Sequence, residues 1–264
     1  MASQERFGFE WNKYSELDPN YERQFKFWVN PLTENDFKNG DVLDAGCGMG
    51  RNSFWSLKWG AAKVMAFDFD RRSVSHAEKN LSSFTNAEVL FKSIYEIDWQ
   101  NEFDVVFSIG VIHHLNDPRL AVSNLVRAAK PGATILLWVY SYEGNGWIVK
   151  YINPIRKYFT SKMPVGLVHI LAYFFSVPLW IFVKIFRGPT QYFKQLAEFK
   201  FWHLHSIVFD QLIPEVANYW TKDEARDLFS GLNLESVQVF RPPNDCGWTV
   251  VAKKQLSNTI SGRG

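Results

Sequence analysis

The chain has 264 residues, of which 47% are apolar and 21% charged, and its net charge is +2. Such a chain can form one large domain, or one domain with a sizeable insertion, and its charge gives the whole molecule no strong electrostatic preference for a partner. Two cysteines in unrelated contexts, Cys47 and Cys246, exclude a disulfide framework. Together with first residues that lack the apolar stretch of a signal peptide, they predict a cytoplasmic protein.

Residues 1–40 precede the first strand and are predicted to form a helical, aromatic cap. From there strands and helices alternate. Strands are predicted at 41–45, 63–67, 87–91, 103–108 and 134–140, and helices at 51–59, 71–83 and 118–129. This alternation is typical of a parallel sheet with helices on both faces, an α/β fold.

The turn after the first strand is rich in glycine. Residues Val42–Asn52 read VLDAGCGMGRN, so the strand runs through Asp44 into Gly46, Gly48 and Gly50. Glycines permit a tight turn and let a ligand approach the bare main chain, and the following helix presents unpaired N–H groups. By itself this turn is a weak signal of nucleotide binding.

The second predicted strand ends at Asp68, about 20 residues after the glycine turn, where doubly wound folds place a carboxylate that binds ribose hydroxyls. The first 70 residues therefore predict a ligand with a ribose. At this point a dinucleotide and S-adenosylmethionine both fit.

Two further motifs separate these cofactors. Residues Glu102–Leu115 read EFDVVFSIGVIHHL, a strand followed by a turn with paired histidines, and Pro131-Gly132 forms a predicted turn before the next strand. With the glycine turn and Asp68, this order resembles the class I S-adenosylmethionine-dependent methyltransferases over residues 42–140. The resemblance implies S-adenosyl-L-methionine as the cofactor.

The family resemblance also implies the topology. It predicts a doubly wound, seven-stranded, mostly parallel sheet, a Rossmann-like fold whose last two strands form an antiparallel hairpin at one edge. The sequence supplies these elements after the insertion: a helix capped by Thr221 and Glu224, then strands at 234–240 and 247–253. The cofactor-binding core is thus predicted at 41–140 and 215–254, with a flexible tail at 255–264.

The resemblance assigns cofactor-binding roles to residues of four motifs. The glycine turn is expected to hold the methionine part, Asp68 the ribose, and Phe69 one face of the adenine. The expected cofactor-binding residues are Asp44, Gly46, Cys47, Gly48, Gly50, Asp68, Phe69, Ser93, Ile94, Ser108 and Ile109. One motif departs from the family: Lys92-Ser93-Ile94 stands where many relatives carry an acidic residue, so Ser93 would accept a hydrogen bond without charge assistance.

Candidate residues for the reaction follow the fourth strand. His113 and His114 are candidate general bases, because imidazole titrates in a useful range, with the alternative that one packs or caps the loop. His203, His205 and Tyr219 are candidates for the acceptor pocket, alternatively anchors of the insertion. Trp11 and Tyr14, in a segment similar to those that fold over the cofactor in related enzymes, would close the pocket or pack in the core. No metal site is expected, because these histidines are not accompanied by further side chains that would complete the coordination of a metal ion.

Residues 141–214 form a predicted helical insertion that is both aromatic and basic. Residues 141–205 hold 16 aromatic residues, eight Lys or Arg and two Glu, a net charge of +6. Within it, Val165–Val183 is 19 residues long without Asp, Glu, Lys or Arg, enough for a membrane span. One crossing would separate the last strands from their sheet, and Pro178 is predicted to split the run. An interfacial hairpin and an apolar lid over the active site remain. The flanking basic residues placed to meet anionic lipid are Arg156, Lys157, Lys162, Lys184 and Arg187.

The leading hypothesis is methyl transfer to a small or lipid-linked acceptor, with the protein peripheral at the inner face of the membrane. The alternatives are a soluble natural-product or sugar methyltransferase with an apolar lid, and a non-catalytic cofactor-binding subunit. Nucleic acid is not an expected partner, because the basic residues are mixed with a long apolar run rather than forming a stripe. An Asn-Pro-Pro-Tyr-like sequence after the fourth strand is also absent.

Overall fold

Seven strands form one sheet in the computed structural model, which describes residues 20–186, 188, 191–242 and 247–256. The strands are β1 Asp41–Ala45, β2 Lys63–Asp68, β3 Ala87–Phe91, β4 Phe103–Ile109, β5 Ala129–Val139, β6 Leu234–Phe240 and β7 Trp248–Lys254. Their order is β3-β2-β1-β4-β5-β7-β6; β1 to β5 are parallel, and β7 is antiparallel to both β5 and β6. This confirms the predicted doubly wound sheet with its antiparallel edge.

The helices are α1 Asn20–Val29, α2 Glu34–Phe37, α3 Arg51–Lys58, α4 Arg71–Leu81, α5 Pro118–Ala128, α6 Asn153–Tyr158, α7 Val165–Phe186, α8 Gln191–Glu198, α9 Phe201–Asp210 and α10 Lys222–Asp227. Side-chain caps set several of their starts. The Asp70 carboxylate accepts from the first turn of α4, Asp117 does the same for α5, and Thr221 forms a capping box at α10. The predicted start signals of α5 and α10 are thereby confirmed.

Alternating residues of the strands fill two cores, one on each face of the sheet. In β1, the buried Val42 packs in a cluster with Phe25 of α1 and Phe107 of β4. Its neighbour Leu43 points to the opposite face, in a cluster with Leu125 of α5 and other strand residues. Covering both faces with helices leaves the carboxyl ends of the parallel strands as the place for a ligand.

Strand β5 begins at Ala129, not at 134 as predicted from the Pro131-Gly132 pair. Its pairing with β4 jumps from Phe103–Ala129 to Val105–Thr134, so three extra residues bulge out of the ladder. Gly132 lies in this bulge with φ of +78°, a conformation that glycine adopts without strain. The turn residues therefore interrupt the pairing without ending the strand.

The insertion between β5 and α10 contains helices α6 to α9. Helix α7 runs unbroken over 22 residues, so the prediction that Pro178 splits the apolar run is wrong. Proline removes one backbone hydrogen bond of the helix. In α7, buried residues before and after Pro178 pack against the rest of the protein and hold the helix in place. These buried residues form a stripe that includes Val168, Ala172, Ser176 and Val183.

Polar contacts attach the insertion to the segment that leads back to the sheet. Arg156 is 1% exposed, and its guanidinium donates to the Gln211 carbonyl and to Asn153 Oδ1. Thr160 Oγ1 donates to the Leu212 carbonyl over 2.7 Å. The prediction that Arg156 faces lipid headgroups is therefore wrong, because its charge is used inside the protein.

Candidate cofactor and acceptor site

The glycine turn is held against the neighbouring strand by its backbone. The N–H groups of Gly46 and Cys47 both donate to the Phe67 carbonyl, over 2.9 Å each. Gly46 and Gly50 have φ of +80° and +81°, which the turn into α3 requires. Burial raises the pKa of the Cys47 thiol well above its usual range, so this side chain packs as a neutral thiol.

Gly46→Ala is expected to destabilise the turn and to impair cofactor binding. A Cβ at Gly46 would lie 2.4 Å from Val111 Cγ2, and the positive φ adds backbone strain of about 1–3 kcal/mol. A fall of several degrees in Tm should accompany the loss of S-adenosylmethionine binding measured by calorimetry. Gly166→Ala is the matched control, because a Cβ there meets nothing within 4 Å. Equal Tm values for the two variants would contradict this account.

Asp68 is the last residue of β2 and is oriented by two main-chain donors. Gly48 N–H donates to Oδ2 over 2.9 Å and Asp70 N–H donates to Oδ1 over 3.0 Å. Each oxygen keeps a second lone pair for a further donor, and Asp68 lines the cavity. Burial raises the pKa of this carboxyl to about 6, against the opposing effect of the two N–H donors.

Asp44 lies behind the turn and does not line the cavity. It is 1% exposed, and Ser53 Oγ donates to its Oδ2 over 2.6 Å. Burial raises the pKa of Asp44 to about 7, the Ser53 hydrogen bond opposes the rise, and the nearby Asp68 charge adds to it. Asp44 therefore joins the end of β1 to the first turn of α3, on either side of the glycine turn.

Asp44→Asn is expected to stabilise the apoprotein at alkaline pH relative to acidic pH. Because the pKa of Asp44 is raised from 3.8 to about 7, the folded apoprotein keeps a proton that the unfolded chain has lost, and stability falls as pH rises through that window. Asparagine cannot ionise, so the Tm difference between variant and parent should grow from pH 4 to pH 8. Asp223→Asn, at a side chain 86% exposed, is the control and should show the same difference at both pH values. A pH-independent effect of Asp44→Asn would contradict this prediction.

The residues predicted to bind adenine lie together beyond Asp68. Phe69, Ser93 and Ile94 all line the cavity. Phe69 is 42% exposed and stacks on Phe91 with ring centroids 5.3 Å apart. Asn124 Nδ2 donates to the Ile94 carbonyl and fixes this loop from the side of α5. Two apolar walls and a hydroxyl are thus available for a flat heteroaromatic ring.

The two residues at the end of β4 have different surroundings. Ile109 lines the cavity. Ser108 is fully buried, and its Oγ donates to the Ala45 carbonyl over 2.8 Å. Ser108 therefore ties β4 to β1 and supports the site without lining it.

The structure separates the paired histidines. His113 is fully buried and stacks on Tyr140, with ring centroids 3.7 Å apart; burial lowers its pKa well below the usual range, and it does not line the cavity. His114 does line the cavity. Its Nδ1 lies 2.8 Å from the Val216 carbonyl, which accepts only, so Nδ1 carries the proton and Nε2 the lone pair of the neutral ring. Burial lowers the pKa of His114 to about 4, so the ring is neutral at pH 7.

A polar cluster continues the cavity toward the insertion. Tyr219 stacks on Tyr140 at 5.2 Å, Tyr219 OH donates to Gln211 Oε1 over 3.3 Å, and Gln211 Nε2 donates to Tyr140 OH over 3.2 Å. Tyr140, Gln211 and Tyr219 all line the cavity. The candidate role of Tyr219 in the acceptor pocket thus remains a prediction with supporting geometry.

The two histidines of α9 differ in the same way. His203 lines the cavity, with Nδ1 3.2 Å from Tyr21 OH. His205 is fully buried, 2.6 Å from Ser176 Oγ and 3.3 Å from His169 Nε2, and does not line the cavity. The arrangement of His205 is that of an anchor between α9 and α7. Trp11 and Tyr14 lie outside the described residues.

Several cavity residues were not predicted from the sequence. Trp28 of α1, Arg51 of α3 and Trp138 and Tyr140 at the end of β5 all line the cavity. Arg51 lies over the Trp28 ring, 4.9 Å from its centroid. The position of Trp138 and Tyr140 at the carboxyl end of a parallel strand was a usable signal. Among the described residues, no group of three His, Cys, Asp or Glu could hold a metal ion.

The cavity is continuous and has a volume of 1040 Å³. It runs from the glycine turn past Asp68 and His114 to the helices of the insertion. The donor and acceptor groups at its first end fit S-adenosylmethionine: backbone N–H groups for a carboxylate, Asp68 for a ribose diol, and Phe69 and Ile94 for adenine. The remaining volume is available to a second ligand.

Comparison with known proteins agrees with this assignment. A family model described as "Methyltransferase domain" matches residues 42–132. The mitochondrial ubiquinone biosynthesis O-methyltransferase of Dictyostelium discoideum is 29% identical over 49% of this chain and 43% of its own length. The tRNA U34 carboxymethyltransferase of Nautilia profundicola is 26% identical over 51% of this chain and 45% of its own length.

Similarity of fold to solved structures covers more of the chain than the sequence similarity does. Magnesium protoporphyrin IX methyltransferase from Synechocystis, solved with bound SAH, superimposes with a TM-score of 0.55 at 13% identity, over 89% of this chain and 84% of that one. The chain spans less than half the length of the two curated relatives above. The four motifs, the sheet topology and the matched domain agree, and together they support a class I S-adenosylmethionine-dependent methyltransferase with S-adenosylmethionine as its cofactor.

Proposed function

We propose that the protein transfers a methyl group to a small or lipid-linked acceptor while lying on the inner, cytoplasmic face of a membrane. The observation that carries this proposal is the continuity of the cavity, which connects the cofactor end to a helix with an exposed apolar surface. A soluble enzyme with an apolar lid has no need to expose that surface.

When bound, S-adenosylmethionine supplies a methyl group on a sulfonium, open to in-line displacement. The protein positions the acceptor, which is the main contribution that such a reaction needs. In this proposal His114 is the base: its Nε2 would take the proton of an acceptor hydroxyl or amine, while the Val216 carbonyl accepts from Nδ1–H. The ring is neutral at pH 7, so Nε2 carries the lone pair that a base needs, and its lowered pKa makes His114 a weaker base than a free imidazole.

Helix α7 presents a continuous apolar stripe to solvent. Its outer face, defined here as Ile170, Phe174, Val177, Ile181 and Ile185, follows the helical repeat. All five side chains are exposed, from 40% for Val177 to 74% for Phe174. Soluble monomers rarely expose contiguous apolar patches beyond a few hundred Å². This face supports contact with a membrane surface.

Basic residues flank this apolar stripe. Lys157 and Lys162 precede α7, and Lys184 lies in its last turn; all three side chains are exposed. Each such residue contributes about 1 kcal/mol at an anionic surface. Arg187 lies outside the described residues.

Helix α7 has the length and composition of a membrane span, with 22% of its apolar window buried. A single crossing conflicts with the sheet, because β6 and β7 follow α7 in the chain, β7 pairs with β5, and β6 pairs with β7. The proposal therefore places α7 parallel to the membrane plane, with its buried stripe on the protein and its outer face in the interfacial layer.

The names of some relatives point to acceptors other than a lipid-linked one. Some matched proteins are named for tRNA modification, which weakens the expectation that nucleic acid is not a partner. A ubiquinone biosynthesis methyltransferase among the relatives favours a small or lipid-linked acceptor by name. A soluble acceptor under an apolar lid and a non-catalytic cofactor-binding subunit complete the alternatives.

The test is a labelling screen. The full chain and S-adenosylmethionine with a radiolabelled methyl group are incubated with membrane lipids, soluble metabolites or total tRNA, and incorporated label is measured in each fraction. We expect label in the lipid fraction, absent with Asp68→Ala. Label in the soluble or tRNA fraction alone would overturn the lipid acceptor, and no label in any fraction would favour the non-catalytic alternative.

A further inference from the structure

The cavity continues beyond the cofactor and acceptor groups into an arm within the insertion. Helices α7, α8 and α9 contribute this arm, whose apolar lining includes Phe175, Leu179, Phe193, Leu196, Phe199 and Leu204. Leu196, Phe199 and Leu204 are at most 5% exposed, so the inner part of the arm is enclosed by protein.

The two ends of the cavity differ in chemistry. Near the cofactor end, the walls carry Asp68, His114, Gln211 and Tyr219. Between residues 175 and 208, none of the described residues that line the arm is Asp, Glu, Lys or Arg, and apolar side chains outnumber the polar ones, which are Tyr192, Gln195, His203 and Ser206. A ligand that joins a polar head to an apolar chain matches both ends, and burial of each CH₂ is worth about 0.8 kcal/mol.

The arm opens beside the outer face of α7. Phe175 lines the cavity and is also 57% exposed, and Leu179, one helical turn further on, lines it and is half-buried. Phe175 is adjacent in sequence to Phe174 of the outer face. A chain leaving a bilayer in contact with that face would enter the arm without crossing water.

The volume permits such a ligand. Drug-sized ligands occupy pockets of about 300–1,000 Å³. The cavity of about 1040 Å³ slightly exceeds this range, and it must also hold the cofactor and the reacting head. The arm is the part of it that neither of these needs.

We infer that this arm, the chain tunnel, binds the hydrocarbon chain of the acceptor, an isoprenoid or acyl chain that enters beside Phe175 and Leu179 and ends near Leu204. The inference rests on the proposed function and names the class of its acceptor. The chain would be held by the insertion, while the head reaches His114 and Tyr219. The chain tunnel thus selects an amphipathic acceptor over a free polar metabolite.

The test measures chain binding without methyl transfer. Fluorescence titration of the full chain with cis-parinaric acid, in the absence of cofactor, should show saturable binding. Displacement by farnesol would identify an isoprenoid chain and displacement by 1-dodecanol a straight one; either result supports the tunnel. Since no methyl is transferred, this assay reports on the tunnel even where the labelling screen fails.

Two variants fill the tunnel and one serves as control. Leu179→Trp and Leu196→Trp place an indole in the lumen and should weaken probe binding at least tenfold. Leu120→Trp, at a side chain 46% exposed on α5, should change it less than twofold. Calorimetric binding of S-adenosylmethionine reports whether each variant is folded. Because Leu179 is only half-buried, Leu179→Trp provides the result if Leu196→Trp misfolds. Absence of saturable binding to the parent, or unchanged binding by a folded Leu179→Trp, would overturn the inference.

Discussion

Replacing Asp68 with alanine is expected to weaken binding of S-adenosylmethionine by about 100-fold or more. The carboxylate is already oriented by Gly48 N–H and Asp70 N–H, so the two ribose hydroxyls would meet acceptors that need no reorganisation. Hydrogen bonds to a charged group contribute about 1.5–3 kcal/mol each, and 1.4 kcal/mol is a factor of ten in affinity. Removal of the side chain also leaves the N–H groups of Gly48, in the glycine turn, and of Asp70 without this acceptor.

Isothermal calorimetry of the cofactor with parent and variant measures this effect. Asp223→Ala removes an exposed carboxylate, 86% accessible, and is the matched control, with an affinity expected within twofold of the parent. Asp68→Asn retains one oxygen acceptor and should fall between parent and alanine. Equal affinities for parent and Asp68→Ala would mean that the ribose does not lie on this carboxylate.

The cofactor half of the site was predictable because its signals are local. Gly46, Gly48 and Asp68 stand at strand ends, and strand ends in a parallel sheet share one edge. Short loops after the strands carry these residues, so the residues can lie in only a few positions relative to the sheet. Most of the predicted cofactor-binding residues line the cavity, whereas Asp44, Gly50 and Ser108 do not, and their contacts with the cofactor stay a prediction.

The acceptor half was less predictable because its residues come from distant segments. His113 and His114 are neighbours in sequence, yet a tight 3₁₀ turn over Ile112–His114 sends one ring into the core and the other to the cavity. Pairing of Tyr140 with Tyr219 and Gln211 depends on how the insertion returns to the sheet. Periodicity and spacing carry no information about such contacts.

The insertion shows a second limit of sequence reasoning. Composition predicted an apolar, basic helical segment, which the structure contains. It did not reveal that Arg156 is buried, because a charge beside an apolar run is usually solvated. Nor did Pro178 end the helix, because packing of α7 against α9 offsets the lost hydrogen bond.

The outer face of α7 is expected to control how strongly the protein partitions onto membranes. Ile170→Asp combined with Phe174→Asp is expected to reduce partition of the protein onto vesicles of phosphatidylglycerol and phosphatidylcholine by about 1,000-fold or more. Each apolar side chain contributes about 1.5–3 kcal/mol when fully removed from water. The two new carboxylates would also be repelled by the anionic surface, at about 1 kcal/mol per charge.

Flotation of the protein with vesicles, at several lipid concentrations, gives the partition coefficient. Leu120→Asp combined with Leu256→Asp adds the same charge at two other exposed leucines, 46% and 65% accessible, and controls for the change in net charge. That control should partition within threefold of the parent. Both double variants should bind S-adenosylmethionine as the parent does, which separates loss of membrane contact from loss of fold.

The comparison of the two double variants decides between a membrane-facing helix and an apolar lid. Ile170 and Phe174 are 58% and 74% exposed, so a lid that only covers the site gains little from their apolar character. Equal partition of both double variants, or no partition of the parent, would assign α7 to the lid. A selective loss with the α7 variant would instead place the entrance of the chain tunnel, at Phe175, in the interfacial layer of the membrane.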